Sequence, residues 1–135
     1  MAKEVLRSLT VKQYMARDIV TFKPDTGVMD AIHTLITRRV SGAPVVDDHG
    51  NVVGILSEKD CMQVMLNACY HEELGGKVSE YMKTDVQAIE AETSIVEAAE
   101  MFNSSPVRRF PVVDDNSLVG QISRRDVLRA LEKIW

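Results

Sequence analysis

Val28, Ala31, Ile32, Leu35 and Ile36 recur at i, i+3, i+4, i+7 and i+8, an apolar stripe that predicts an amphipathic helix. Thr26, just after the Pro24-Asp25 break, is its expected cap. Runs rich in β-branched residues at 19–22, 42–46 and 52–56 predict strands. The polar stretch 47–51 predicts a hairpin turn between the last two. A second helical run opens at Ser57, with Cys61, Val64, Met65, Ala68 and Cys69 on one face. Ahead of all this, residues 1–9 have room for a helical turn, and Thr10 with Gln13 opens a short helix over 11–15. After the Gly75-Gly76 breaker the order repeats. A short helix at 78–82 leads to a strand at 86–89 and a helix capped by Ser94 and Glu97, with Ile95, Ala98, Ala99 and Phe102 as its stripe. Strands at 109–113 and 117–122 turn through Asp114-Asp115-Asn116, and a last helix carries Val127, Ala130, Leu131 and Ile134.

The residues repeat as well as the pattern. At an offset of 67, Val11, Tyr14, Met15, Asp18, Thr26, Ala31 and Val40 meet Val78, Tyr81, Met82, Asp85, Thr93, Ala98 and Val107. Pro44-Val45-Val46-Asp47-Asp48 then meets Pro111-Val112-Val113-Asp114-Asp115. One residue drops out in the hairpin turn, and at an offset of 66 Val53, Gly54, Ser57 and Asp60 meet Val119, Gly120, Ser123 and Asp126. The chain is therefore two copies of a strand–helix–strand–strand–helix unit, at 8–70 and 78–135, joined by a connector at 71–77. A sheet covered by helices on one face leaves the other apolar, and a unit of this size is marginal alone. Two copies packed about an approximate two-fold axis would hide that face.

The junction Gly-x-x-Ser-x-x-Asp is the candidate chemistry. It joins a strand to a helix in both copies, at Gly54, Ser57 and Asp60 and at Gly120, Ser123 and Asp126. A glycine lets a ligand or a neighbouring backbone come close. The first N–H groups of a helix favour an anion, and an ionised Asp, which only accepts hydrogen bonds, suits a pair of hydroxyls such as those of a ribose. The same Ser-x-x-Asp spacing is also close to a capping box, which needs no ligand.

Composition narrows the classes. Net charge is −4 with few aromatics, so nucleic acid is not the expected main partner. No apolar run approaches a membrane span, and the N-terminal residues hold no secretory h-region. Cys61 and Cys69, eight apart on one expected helix, are too distant to bridge and read as buried thiols of a reducing compartment, the cytoplasm. His33, His49 and His71 are not at metal-ligand spacing with them, so no metal site is expected. No P-loop, nucleophile elbow or Ser/His or Cys/His pairing is present, so no catalytic residue is expected. Asp47-Asp48 and Asp114-Asp115 read as turn formers, with Mg²⁺ entering only alongside a nucleotide. Met29, Met62, Met65, Met82 and Met101 read as core or dimer-face filling.

The Tyr-Met openings, the two Pro-Val-Val-Asp strands and the doubled Gly-x-x-Ser-x-x-Asp junction resemble a tandem pair of CBS (cystathionine-β-synthase) domains, over roughly 8–135. The resemblance implies an α+β fold of two β-α-β-β-α CBS repeats about a pseudo-two-fold axis. It implies a regulatory module rather than an enzyme, with two clefts for adenosine-containing ligands: AMP, ADP, ATP, in some members S-adenosylmethionine or a dinucleotide. On that reading Asp60 and Asp126 hold ribose hydroxyls, while Ser57 and Ser123 face phosphate. Gly42, Ala43, Arg109 and Phe110, with Val20-Thr21 and Gln87-Ala88, border the base; Ile55 or Ile122 flanks the ring. Arg124-Arg125, with Arg108-Arg109 upstream, favours phosphate on the copy-two side or is a solvated helix end. Gln121 either faces the adjoining cleft or lies outside. The family commonly dimerises through its helices, which implies a homodimer here, with output passing to a separate effector protein. The competing expectation is a ligand-free interaction module in which Ser-x-x-Asp only caps.

Overall fold

The computed structural model describes residues 2–135; Met1, the first residue of the leader, lies outside the described residues. The fold is mixed α+β. In chain order the elements are α1 (Ala2–Ser8), α2 (Val28–Arg38), β1 (Gly42–Val46), β2 (Val52–Ser57), α3 (Glu58–His71), β3 (Ile89–Glu90), α4 (Ile95–Asn103), β4 (Arg109–Asp114), β5 (Ser117–Ser123) and α5 (Arg124–Arg129). Short 3₁₀ turns stand at Val11–Gln13, Val78–Glu80 and Ala130–Lys133.

The chain divides into two compact units whose cuts do not follow the sequence copies. One unit is Val20–Val86; the other combines the residues up to Ile19 with Gln87–Trp135. Each unit thus takes the opening 3₁₀ turn of one copy and the sheet and helices of the other.

In the Val20–Val86 unit, β1 and β2 pair antiparallel, with Pro44 opposite Ile55 and a bulge at Val45/Val46. Five residues, 47–51, connect them, as the polar stretch predicts; Gly50 there has φ +83°. Asp47 Oδ1 accepts from the N–H groups of His49 and Asn51, each at 2.9 Å. Lys83 pairs with Ile55 on the outer edge of β2, the N–H of each donating to the other's carbonyl at 2.9 Å. The strand expected at 19–22 is reduced to one parallel bridge, Phe22 to Val45. The core gathers Phe22, Ala31, Leu35, Val45, Leu56 and Val78.

In the other unit, β3 runs parallel to β4 and β4 antiparallel to β5, with Arg109 opposite Ser123 and Pro111 opposite Gln121. Asp115 (φ 50°) and Asn116 (φ 73°) make a two-residue turn of the type that suits strand twist. Ala16 bridges Gln121 as Lys83 bridges Ile55. The core holds Val11, Tyr14, Met15, Ile95, Phe102 and Phe110, among others, with the two Phe rings 4.6 Å apart.

The docking of each opening segment is the same three bonds displaced by the repeat. Val11 N–H donates to Thr93 O at 2.8 Å, Lys12 N–H to Ala91 O at 2.9 Å and Ile95 N–H to Leu9 O at 2.8 Å. In the other unit Val78 N–H donates to Thr26 O, Ser79 N–H to Pro24 O and Val28 N–H to Gly76 O, each at 2.9 Å.

Several expected faces are narrower than the spacing implies. The cap of α2 is Gly27, not Thr26, whose Oγ1 instead accepts from Lys23 N–H at 3.1 Å within the preceding turn. Ile36 is exposed although it continues the α2 stripe: Val28, Ala31 and Leu35 are buried and Ile32 packs partly against the core, but the stripe stops there. On α3, Cys61 and Val64 are buried, but Met65 and Cys69 face outward, so only one of the two free thiols is buried. In the last helix Ala130 is buried, while Leu131 and Ile134 are exposed. The chain tightens to a 3₁₀ turn at Ala130 and the helical phase changes there.

Candidate functional site

Each unit holds one complete set of the residues expected to form a site. Val20, Thr21, Gly42, Ala43, Ile55, Ser57 and Asp60 all fall in the Val20–Val86 unit. Gln87, Ala88, Arg109, Phe110, Ile122, Ser123, Arg124, Arg125 and Asp126 fall in the other.

Both Ser-x-x-Asp junctions are closed capping boxes. Ser57 is the N-cap of α3, and its N–H and Oγ donate to Asp60 Oδ2 at 2.9 and 2.8 Å; Asp60 N–H donates back to Ser57 Oγ at 3.2 Å. Ser123 and Asp126 repeat this at 2.9, 3.0 and 3.3 Å. In each copy one carboxylate oxygen is therefore used by the cap, which leaves Oδ1 as the acceptor with capacity to spare.

The surroundings of the two Oδ1 atoms differ. Asp60 Oδ1 stands 3.9 Å from Lys83 Nζ, beyond hydrogen-bond reach, with the Asp side chain 8% exposed. Asp126 Oδ1 accepts from Arg129 Nη1 at 3.1 Å. Beside Asp126 lies a cavity of about 220 Å³ lined by Ala16, Arg109, Gln121, Ser123 and Asp126. Arg109 forms part of its wall, and the Arg109 Nε is buried without a hydrogen-bond partner.

The structure thus brings Arg109, Ser123 and Asp126 together and resolves Gln121 as a cavity wall. Strand alternation puts its neighbour Ile122 on the opposite face, fully buried in the core and away from the cavity wall that Gln121 forms. Phe110 and Ala43 are likewise core residues, at 1% and 2% exposure. Ile55, which pairs with Gln121 in the repeat, stays half-buried. Arg124 and Arg125 do not join the cavity. Arg124 donates to Val107 O at 3.3 Å and lines a groove of about 450 Å³ with Phe102, Asn103 and Leu128. Arg125 lies in a hollow with Leu128, Arg129 and Glu132. Val20, Gly42 and Ala88 are half-buried, and Thr21 and Gln87 exposed.

The junction glycines serve the fold. A Cβ on Gly54 would sit 2.5 Å from Met82 Sδ and 2.9 Å from Lys83 O; one on Gly120 would sit 2.7 Å from Met15 Sδ and 2.6 Å from Ala16 O. It is the opening segment, with the Met of its Tyr-Met pair, that needs the missing side chain. Lys83, Ala16 and Arg129 are the site residues that spacing alone does not single out. Ala16 and Lys83 follow the repeated Tyr-Met pair directly, and that is the signal by which they are found.

Comparison with known proteins places this arrangement. The CBS domain family model matches residues 11–67 and again 78–133. The chain belongs to the CBS domain family, as a tandem pair. It is 34% identical over 118 residues to the inosine-5'-monophosphate dehydrogenase of Methanocaldococcus jannaschii; the match takes in 87% of this chain but only 22% of the dehydrogenase. Among solved structures, CBSX2 in complex with AMP superposes with a TM-score of 0.80 at 31% identity, covering 93% of this chain and 98% of that one. A CBS domain-containing protein of unknown function from Bacillus anthracis str. Ames Ancestor gives a TM-score of 0.83 at 26% identity, with 97% and 98% covered.

Proposed function

We propose that this chain is a regulatory, non-catalytic CBS pair that binds an adenosine-containing ligand of the AMP, ADP or ATP kind beside Asp60 and Asp126. The observation that carries the reading is the cavity at Asp126, where the Arg109 side chain, a hydroxyl and a carboxylate line about 220 Å³. Such a volume is below that of a pocket enclosing a whole drug-sized ligand and suits the ribose-phosphate end of a nucleotide. Asp126 accepts a ribose hydroxyl through Oδ1 and the Arg109 guanidinium donates to phosphate, with Ser123, whose hydroxyl proton is held by Asp126 Oδ2, facing it. In the other unit Asp60 accepts the hydroxyl and Lys83 donates, with Ser57 facing phosphate, while Val20-Thr21, Gly42 and Gln87-Ala88 border the base. The AMP complex of CBSX2 supports the adenosine class.

Output passes to a separate effector protein, and the chain works as a homodimer. Met62, Met65, Leu66 and Tyr70 form an exposed apolar stripe on α3 at i, i+3, i+4 and i+8, a pattern that marks a contact surface. The free thiols fit a reducing compartment, the cytoplasm. Among the described residues no helix is long and apolar enough to cross a membrane.

The closed capping boxes favour one second reading, a ligand-free interaction module in which both aspartates only hold helix ends. Thermal shift separates the two. AMP, ADP, ATP and S-adenosylmethionine are each added to the wild type, to Asp60→Asn and to Asp126→Asn. A ligand at 100 times its Kd adds about 2.7 kcal/mol of stability. The proposal expects a rise in Tm with at least one compound, reduced in the variants. No rise with any of the four favours the second reading.

A further inference from the structure

Arg129 distinguishes the two aspartates. Asp126 Oδ2 is used by the Ser123 N–H and Oγ, and Oδ1 accepts from Arg129 Nη1 at 3.1 Å. The Arg129 guanidinium also lies over the Tyr14 ring, 5.7 Å from its centroid, so it is steadied from a second side. The repeat places Gln63 at the same position in copy one. Gln63 turns away from Asp60 and donates to Asn67 Oδ1 at 2.8 Å. Asp60 Oδ1 accordingly has no hydrogen-bond donor among the described residues, with only Lys83 Nζ at 3.9 Å.

We propose that Arg129 is a latch on the Asp126 carboxylate: the guanidinium already takes one of the acceptor positions of Oδ1 and draws on its charge, so Asp126 is the restrained diol acceptor of the pair and Asp60 the ready one. A carboxylate–guanidinium hydrogen bond is charge-assisted and stronger than one from a neutral hydroxyl. Arg129 is half exposed, so solvent screens the pair and the restraint is modest. The inference rests on the reading of Asp126 as a diol acceptor and adds the residue that sets its affinity.

Calorimetry with adenosine tests it, because adenosine has no phosphate for Arg129 to attract. The proteins are wild type, Arg129→Gln, Asp126→Asn and the Arg129→Gln/Asp126→Asn double variant, with AMP titrated in parallel. The latch predicts that Arg129→Gln tightens adenosine binding about two- to fivefold, the worth of a partly exposed ion pair. The gain disappears in the Asp126→Asn background, and the gap between wild type and Arg129→Gln narrows as salt is raised. If AMP binds wild type and weakens with Asp126→Asn, while Arg129→Gln leaves adenosine unchanged or weaker, the latch is wrong and the site reading stands. If neither compound binds any of the four proteins, the site reading fails and takes the latch with it.

Discussion

The glycines of the repeated junction look, as sequence, like places cleared for a ligand; they are places cleared for methionine. Met15 and Met82 lie where a Cβ on Gly120 or Gly54 would stand. Gly120→Ala is therefore expected to destabilise by about 1–3 kcal/mol, the range for overpacking a tight site, seen as a lower urea midpoint at unchanged m-value. The aspartates have a double role of the same kind. Each closes a cap, so Asp60→Ala or Asp126→Ala should cost about 1 kcal/mol in the absence of any ligand. A loss of ligand binding in those variants has to be read against that cost, and Asn, which retains an acceptor oxygen, is the better probe. Cys61 offers a pH test. Burial, reinforced by the Asp60 and Glu58 carboxylates, holds its thiol above the ordinary 9.0. A raised value means the folded state keeps its proton longer. The stability this contributes is whole below pH 9 and drains away as pH climbs through the folded value. Urea midpoints from pH 8 upward should fall more steeply for wild type than for Cys61→Ala; parallel slopes would show that the thiol is not linked to folding.

At the scale of elements, the hairpins and long helices were legible because their signals are local. The five-residue turn 47–51 and the shorter turn through Asp115-Asn116 follow from polar runs between β-branched strands. The first strand was over-read: the β-branched run at 19–22 predicts one, but only Phe22 finds a partner, in a single bridge to Val45. The helix faces were half legible. Apolar spacing marks both the core side and the outer side of α3, and Met65 and Cys69 belong to the outer one. If the outer stripe is the dimer contact, Met65→Glu should leave the urea midpoint within about 0.5 kcal/mol of wild type, as exposed substitutions do. It should also convert the protein to a monomer in light scattering; an unchanged dimer mass would place the interface elsewhere.

Across the whole molecule, the repeat carries most of the argument. It predicts two sets of site residues, and each set falls within one compact unit. What the repeat hides is the exchange of opening segments. Val11–Gln13 builds the unit that contains the copy-two sheet, and Val78–Glu80 the other, because the repeat gives the same segment to either sheet equally well. The exchange brings Ala16 beside Asp126 and Lys83 beside Asp60 and leaves the two candidate sites unlike. One has Arg109 and Ala16, the other Gly42 and Lys83 at the matching positions. Equal motifs thus come with one cation each but from different positions, a guanidinium from the strand in one and an ammonium from the opening segment in the other, and ligand preference should differ between them. A crystal structure of the protein grown with AMP tests the central claim most directly. The account predicts a ribose hydroxyl within about 3.2 Å of the Asp60 or Asp126 carboxylate. AMP bound with its sugar away from both carboxylates would contradict it.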